Sequence, residues 1–223
     1  MQFTQNTFVT LSSPTNADNK ALSIDFSQRF CSEFNVESEQ DCKALLNELK
    51  PLWAEADTLW DKKQDLPSFG AYVSADYVEV FDTLVKLKST CSAFLEFGSG
   101  LGMATIMASR LGFEAYGIEV ESELVDYSRD YAERFAPDAK FAAGSFVPDD
   151  FVWDPAAGEE VYCTSIDSVA AYEELDMRLI DFDLVYAYPW PTEHELYQNI
   201  IRNFASPHCQ LLIYDAREGI LLY

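Results

Sequence analysis

The chain has 223 residues, 48% hydrophobic and 24% charged. Those are the proportions of one globular domain with an extension, not of two enzymes or a disordered polymer. With 38 acidic against 15 basic residues the net charge is -23, which repels phosphate backbones and anionic bilayers and argues against nucleic acid or a membrane as partner.

Such an acidic surface serves solubility or favours a cationic substrate. The cysteines, Cys31, Cys42, Cys91, Cys163 and Cys209, form no CxxC pair, and only His194 and His208 could add imidazoles. Reduced thiols in a cytoplasmic protein and no metal site are expected. The first sixteen residues carry no Lys or Arg, so no secretory signal is expected, and no apolar run approaches the ~20 residues of a membrane span.

Residues 1–20 are polar and aperiodic and read as a flexible tail. Residues 21–90 read as a helical cap. Leu45, Leu49, Leu52, Trp53, Ala56 and Trp60 recur at helical spacing, with Pro51 expected to kink that helix or start a new one. After a loop over Leu66-Pro67-Ser68-Phe69-Gly70, Ser74 is the expected cap of a helix carrying Val78, Phe81, Leu84, Val85 and Leu87 on its apolar side.

Residues 91–223 read as the core. Strands are expected at Ala93–Phe97, Ala115–Val120, Lys140–Phe146, Phe182–Tyr188 and Gln210–Tyr214, with helices at 103–111, 122–135, 165–176 and 192–205. Strict alternation predicts a mostly parallel α/β sheet with helices on both faces and ligands at the carboxyl ends of the strands. Only Asp215 to Tyr223 follow the fifth strand, so the sheet is expected to be shortened at that edge. Gly219–Tyr223 would give one short edge strand, with cover from the N-terminal helices or a homodimer.

The first strand runs into Glu96-Phe97-Gly98-Ser99-Gly100-Leu101-Gly102, a glycine turn whose backbone can approach a ligand before a helix begins at Met103. An acid two residues before the first glycine would repel a pyrophosphate and attract an ammonium or sulfonium. A nicotinamide loop is GxGxxG, and Met103 occupies its third glycine position.

From about residue 93 to 190 the chain resembles a class I, seven-strand, Rossmann-like S-adenosylmethionine-dependent methyltransferase, through the glycine run and through Gly117-Ile118-Glu119. The resemblance implies S-adenosyl-L-methionine as cofactor. Glu96, Gly98, Ser99, Gly100 and Gly102 would hold its methionine part, Glu119 and Val120 its ribose, and Gly144, Ser145 and Phe146 its adenine. Ser145 stands where the family commonly has aspartate. Its hydroxyl and the Phe146 amide are expected to read the adenine edge, with the Phe146 ring on the adenine face.

The same resemblance puts the methyl acceptor beside the end of the fourth strand, at Tyr186, Tyr188, Pro189 and Trp190. Candidate general bases are Tyr188, Asp183 and His194 in falling order; Glu193, His194 and Glu195 could equally serve only the helix dipole. The Tyr188-Pro189-Trp190-Pro191 stretch lacks the leading Asn or Asp and the adjacent prolines of amino-group nucleic-acid methyltransferases. Residues 119–129 are similar to the matching stretch of protein-lysine methyltransferases. The expected activity is methyl transfer to a small molecule, with a protein lysine as alternative and a non-catalytic cofactor-binding protein as the reading from another class.

Overall fold

The computed structural model describes residues 39–70, 72–152, 164 and 171–223. The tail expected at 1–20, the first part of the cap, Cys31, Cys163 and residues 165–170 of the expected third core helix lie outside them.

The cap is two helices, α1 (Glu39–Lys63) and α2 (Tyr77–Leu87). Pro51 lies within α1 without starting a second helix. The cap of α2 is Asp76, whose carboxylate accepts from the amides of Val78 and Glu79 at 3.0 and 3.1 Å. The Ser74 hydroxyl is instead engaged with the phenols of Tyr72 and Tyr77, which corrects the expected cap.

The core follows as β1 (Ala93–Phe97), α3 (Met103–Arg110), β2 (Glu114–Glu119), α4 (Ser122–Phe135), β3 (Lys140–Ala143), α5 (Tyr172–Leu175), β4 (Leu184–Ala187), α6 (His194–Phe204), β5 (Gln210–Asp215) and β6 (Gly219–Leu222). β3 and β4 are shorter than expected: β3 stops before Gly144, and β4 begins after Asp183 and stops before Tyr188. The strand order is β3-β2-β1-β4-β5-β6, with β1 to β5 parallel and β6 antiparallel to β5 through Leu212↔Leu222 and Tyr214↔Ile220. This is a Rossmann-like α/β sheet whose order reverses between β1 and β4, where two neighbouring strands send their connections to opposite sides and leave a crevice.

Alternation along the strands divides the core. Phe94, Phe141, Leu184 and Leu212 face α1 to α4, while Leu95, Phe97, Ile118, Val185 and Ile213 face α5 and α6. Leu49, Leu52 and Phe81 are buried in the first of these clusters, each worth ~1.5–3 kcal/mol of burial. The cap is therefore part of the same core. Ion pairs Lys63–Glu123, Arg110–Glu48 and Arg134–Glu55 tie α1 to α3 and α4 at the surface, where solvent screens them. At the shortened edge, Ile220 and Leu222 of β6 pack against the same cluster. No described helix is long and apolar enough to cross a membrane.

Candidate functional site

A cavity of about 440 Å³ opens at the carboxyl ends of β1, β2, β4 and β5, straddling the point where the strand order reverses. Most of the expected site residues meet there: Glu96, Gly98, Ser99, Gly100, Glu119, Val120, Gly144, Ser145, Phe146, Tyr186, Tyr188, Pro189 and Trp190 all line it. Gly102 and His194 do not.

The glycine loop owes its shape to backbone angles that side chains resist. Gly98 has φ 67° and Gly100 φ 53°, in the left-handed region where a Cβ is strained. A Cβ on Gly98 would meet nothing within 4 Å, so that face of the loop opens on free space; one on Gly100 would lie 2.5 Å from the Tyr72 ring. A Cβ on Gly102 would strike the Phe141 ring at 2.6 Å, so this glycine serves the packing of α3 on the sheet.

Glu119, at the end of β2, holds the loop in place. One carboxylate oxygen accepts from the Gly100 amide at 2.8 Å and the other from the Glu121 amide at 3.0 Å. Each oxygen has a further lone pair, so a vicinal diol could be accepted without breaking either bond. Burial raises the Glu119 pKa; the backbone bonds from Glu121, Gly100 and Val120 oppose that rise.

Glu96 lies under the loop. One of its oxygens accepts from the Thr105 amide at 2.8 Å and the Thr105 hydroxyl at 2.6 Å. Burial nevertheless pushes its pKa to about 8, with the neighbouring Glu119 charge adding to the rise. The negative charge that the sequence assigns to Glu96 is thus conditional at neutral pH: desolvation favours the protonated acid until a cation arrives.

At the end of β3 the Ser145 hydroxyl accepts from the Val147 amide at 3.0 Å, fixing the turn. The Phe146 ring stacks on Phe97 at 4.4 Å and packs against Tyr197 at 5.1 Å. One face of the ring is taken by Phe97 in this aromatic cluster, and the residue lines the cavity.

At the end of β4, Tyr188 meets Tyr214 edge to face at 4.9 Å, and Trp190 is 43% exposed. Burial, then the charge environment of Tyr214 and Asp215, raises the Tyr188 pKa, so the phenol stays protonated and is a hydrogen-bonding group, not a resting base. Asp183 lies at the opposite end of the sheet, where its carboxylate accepts from the amides of Ser92 and Ala93 and from the Ser92 hydroxyl. Its candidacy as base ends there: it is a strand-entry staple. His194 stands behind the wall with Nε2 at 3.4 Å from Asp215 Oδ2 and no hydrogen bond to that nitrogen.

Four further lining residues were not among the expected site residues. Tyr72 and Tyr77, with hydroxyls 3.0 Å apart, come from the cap and close the cavity over the glycine loop. Glu193 is buried, its carboxylate accepting from the amide and hydroxyl of Thr164. Asp215 ends β5, and the strand-end rule that singled out Glu119 would have found it too.

No protein-family model and no curated protein matches the chain. Among solved structures it is similar to an RNA methyltransferase from Salinibacter ruber in complex with S-adenosyl-L-homocysteine, at 18% identity, TM-score 0.46, over 68% of this chain and 91% of that one. It is also similar to an O-methyltransferase from Bacillus cereus in complex with S-adenosylhomocysteine (15% identity, TM-score 0.43, 80% and 67% of the two chains). A third is a TehB-like SAM-dependent methyltransferase from Corynebacterium glutamicum (17%, 0.40, 74% and 76%). These likenesses are distant, and the functional reading rests on the residues of the cavity.

Proposed function

We propose that this protein is an S-adenosylmethionine-dependent methyltransferase acting on a small molecule. The observation that carries the reading is Glu119, a carboxylate bonded to the Gly100 and Glu121 amides with lone pairs to spare, beside a loop whose Gly98 face is open. A ribose diol and an amino-acid chain fit that pairing. When bound, S-adenosylmethionine supplies an electrophilic methyl group on a sulfonium.

The chain's own residues then bind and orient. Glu119 accepts the two ribose hydroxyls, the backbone of Gly98 to Gly100 lies along the methionine part, and Glu96 becomes ionised opposite the cation. Tyr72 and Tyr77 keep water from the loop side. Pro189 and Pro191 hold Tyr188 and Trp190 in a fixed loop against the acceptor. Positioning of this kind is worth up to ~7–11 kcal/mol in a transfer whose donor is already activated.

A small acceptor suits a cavity of about 440 Å³ that must also take the donor. The likeness of residues 119–129 to protein-lysine methyltransferases loses weight, because Leu124, Val125 and Ser128 are buried packing residues of α4. Calorimetric titration with S-adenosylmethionine and S-adenosylhomocysteine tests the donor assignment. Binding by the wild type and a loss of at least about tenfold in Glu119→Ala are expected; no binding at ~1 mM ligand would end the reading. Transfer of a labelled methyl group into a metabolite pool separates an enzyme from a silent binding protein.

A further inference from the structure

Beyond the donor half, the cavity has a second chemistry on the far side of the strand-order reversal. We infer that its acceptor half takes an uncharged, flat aromatic molecule, held against the side chains of Phe97, Tyr188 and Trp190. The inference deepens the methyltransferase reading and rests on it for the fate of that ring as methyl acceptor; the recognition itself stands on the wall of the cavity.

The wall on this side is built from rings that brace one another. Phe97 ends β1 and stacks on Phe146 at 4.4 Å, with Tyr197 of α6 at 6.2 Å. Tyr188, just beyond β4, is held edge to face by Tyr214 at 4.9 Å, and Trp190 follows between Pro189 and Pro191. Phe97, Tyr188 and Trp190 all line the cavity. Rings fixed before a ligand arrives lose little freedom on binding, and their quadrupoles favour a further ring in offset-stacked or edge-to-face contact. The entrance has the same character. Val73, Val120 and Trp190 are exposed, line the cavity and come from three separate places, before α2, after β2 and after β4. Apolar side chains left in water at a mouth are covered, with a gain in free energy, when an apolar ligand seats there.

The charges of the wall leave little for an ion. Among the described residues that line the cavity there is no Lys, Arg or His, so a carboxylate or phosphate acceptor would meet only repulsion. A cation fares little better at the two acids on this side, because their oxygens are already engaged. Glu193 is 1% exposed and accepts from Thr164 N with one oxygen and from Thr164 Oγ1 with the other, at 2.9 and 3.0 Å. Asp215 Oδ1 accepts from the amides of Arg217 and Glu218 at 2.7 and 3.0 Å, and its Oδ2 faces His194 Nε2 at 3.4 Å. What the wall does offer is the Tyr188 phenol, which burial keeps protonated, as a hydrogen-bond partner for a hydroxyl or nitrogen at the edge of a neutral ring.

The test uses the full chain and a matched set of probes on one bicyclic skeleton: 2-naphthol, its saturated counterpart decahydro-2-naphthol, 2-naphthoate, and 2-(aminomethyl)naphthalene as its ammonium. Each is titrated calorimetrically near neutral pH with and without saturating S-adenosylhomocysteine, so the donor assignment and the acceptor assignment are read separately. The expected result is binding of 2-naphthol at least about tenfold tighter than the saturated alcohol and the carboxylate, no weaker than the ammonium, and undiminished by S-adenosylhomocysteine. Trp190→Ala lowers the affinity for 2-naphthol by about tenfold and Trp190→Phe by less. The affinity for S-adenosylhomocysteine and the melting temperature stay near those of the wild type in both, because Trp190 is exposed. Should a variant unfold, the ranking of the probes on the wild type decides. Equal binding of the flat and saturated alcohols, tighter binding of the ammonium or the carboxylate, or displacement of 2-naphthol by S-adenosylhomocysteine overturns the inference, as does an unchanged affinity in folded Trp190→Ala. Selective binding of 2-naphthol without S-adenosylhomocysteine binding supports the inference and removes the methyltransferase reading; S-adenosylhomocysteine binding without 2-naphthol binding does the reverse.

Discussion

Burial holds the Glu96 carboxyl at about 8 against 4.5 for the exposed group, and two measurable consequences follow at the level of this one residue. The folded chain binds a proton that the unfolded chain has lost between those values. Its contribution to stability is therefore full below about pH 4.5, declines as pH rises, and is gone above about pH 8. Replacing the acid with a neutral amide removes that slope. Between about pH 5 and pH 9 the wild type should lose roughly 3 to 5 kcal/mol more than Glu96→Gln in urea unfolding. Parallel pH profiles for the two proteins would mean that Glu96 ionises normally. The second consequence concerns binding: a cationic donor favours the carboxylate, so S-adenosylmethionine should bind more tightly as pH rises from about 6 to 9 and release a proton as it does so. Calorimetry in buffers of different ionisation enthalpy reads that proton directly.

Gly100 shows how one residue couples the cap to the loop. A methyl group there meets both a left-handed backbone and the Tyr72 ring at 2.5 Å. Gly100→Ala should cost about 1–3 kcal/mol. Tyr72→Ala introduced into that background relieves the steric part and leaves the backbone part, so a double-mutant cycle should return a coupling of about 0.5–3 kcal/mol. Strict additivity would place Tyr72 away from the loop.

At the level of elements, the sequence was most legible where one residue type has one physical use. The glycine turn after β1 and the acid that ends β2 were readable because a left-handed backbone favours glycine and because an acid at a strand's carboxyl end reaches the neighbouring loop, as Glu119 reaches the Gly100 amide. The helix start at α2 was less so. Ser74 and Asp76 are both good caps, and what separates them is tertiary: the Ser74 hydroxyl is engaged with Tyr72 and Tyr77, which leaves Asp76 to the amides of Val78 and Glu79. Asp76→Ala should thus cost ~1 kcal/mol and Asp76→Asn much less, by thermal unfolding; equal losses would point to charge on the helix dipole instead. Tyr72 and Tyr77 were illegible as site residues, because the wall they form is made by a chain segment 20 or more residues away from the loop it covers. Asp215 was within reach of the strand-end rule and was missed because the chain after β5 was read as an edge, not as part of the site.

At the scale of the whole molecule, a net charge of -23 on 223 residues acts on folding and on binding with opposite signs. Like charges on a compact surface repel and disfavour the folded state, and the same field draws a cation towards a cavity walled by Glu96, Glu119, Glu193 and Asp215. Salt weakens both effects. Raising ionic strength from ~0.01 M to ~1 M shortens the screening length from about 30 Å to about 3 Å, well below the span of a domain of this size. The melting temperature should therefore rise with sodium chloride, while the affinity for a cationic donor falls over the same range. The uncharged thioether of S-adenosylhomocysteine serves as internal control, since losing the sulfonium should leave its affinity the less salt-sensitive of the two. Differential scanning fluorimetry and calorimetry on one salt series read both trends. A melting temperature that stays flat while donor affinity drops would assign the field to the cavity alone; a donor affinity that stays flat would mean that the wall carboxylates are neutralised before the ligand arrives.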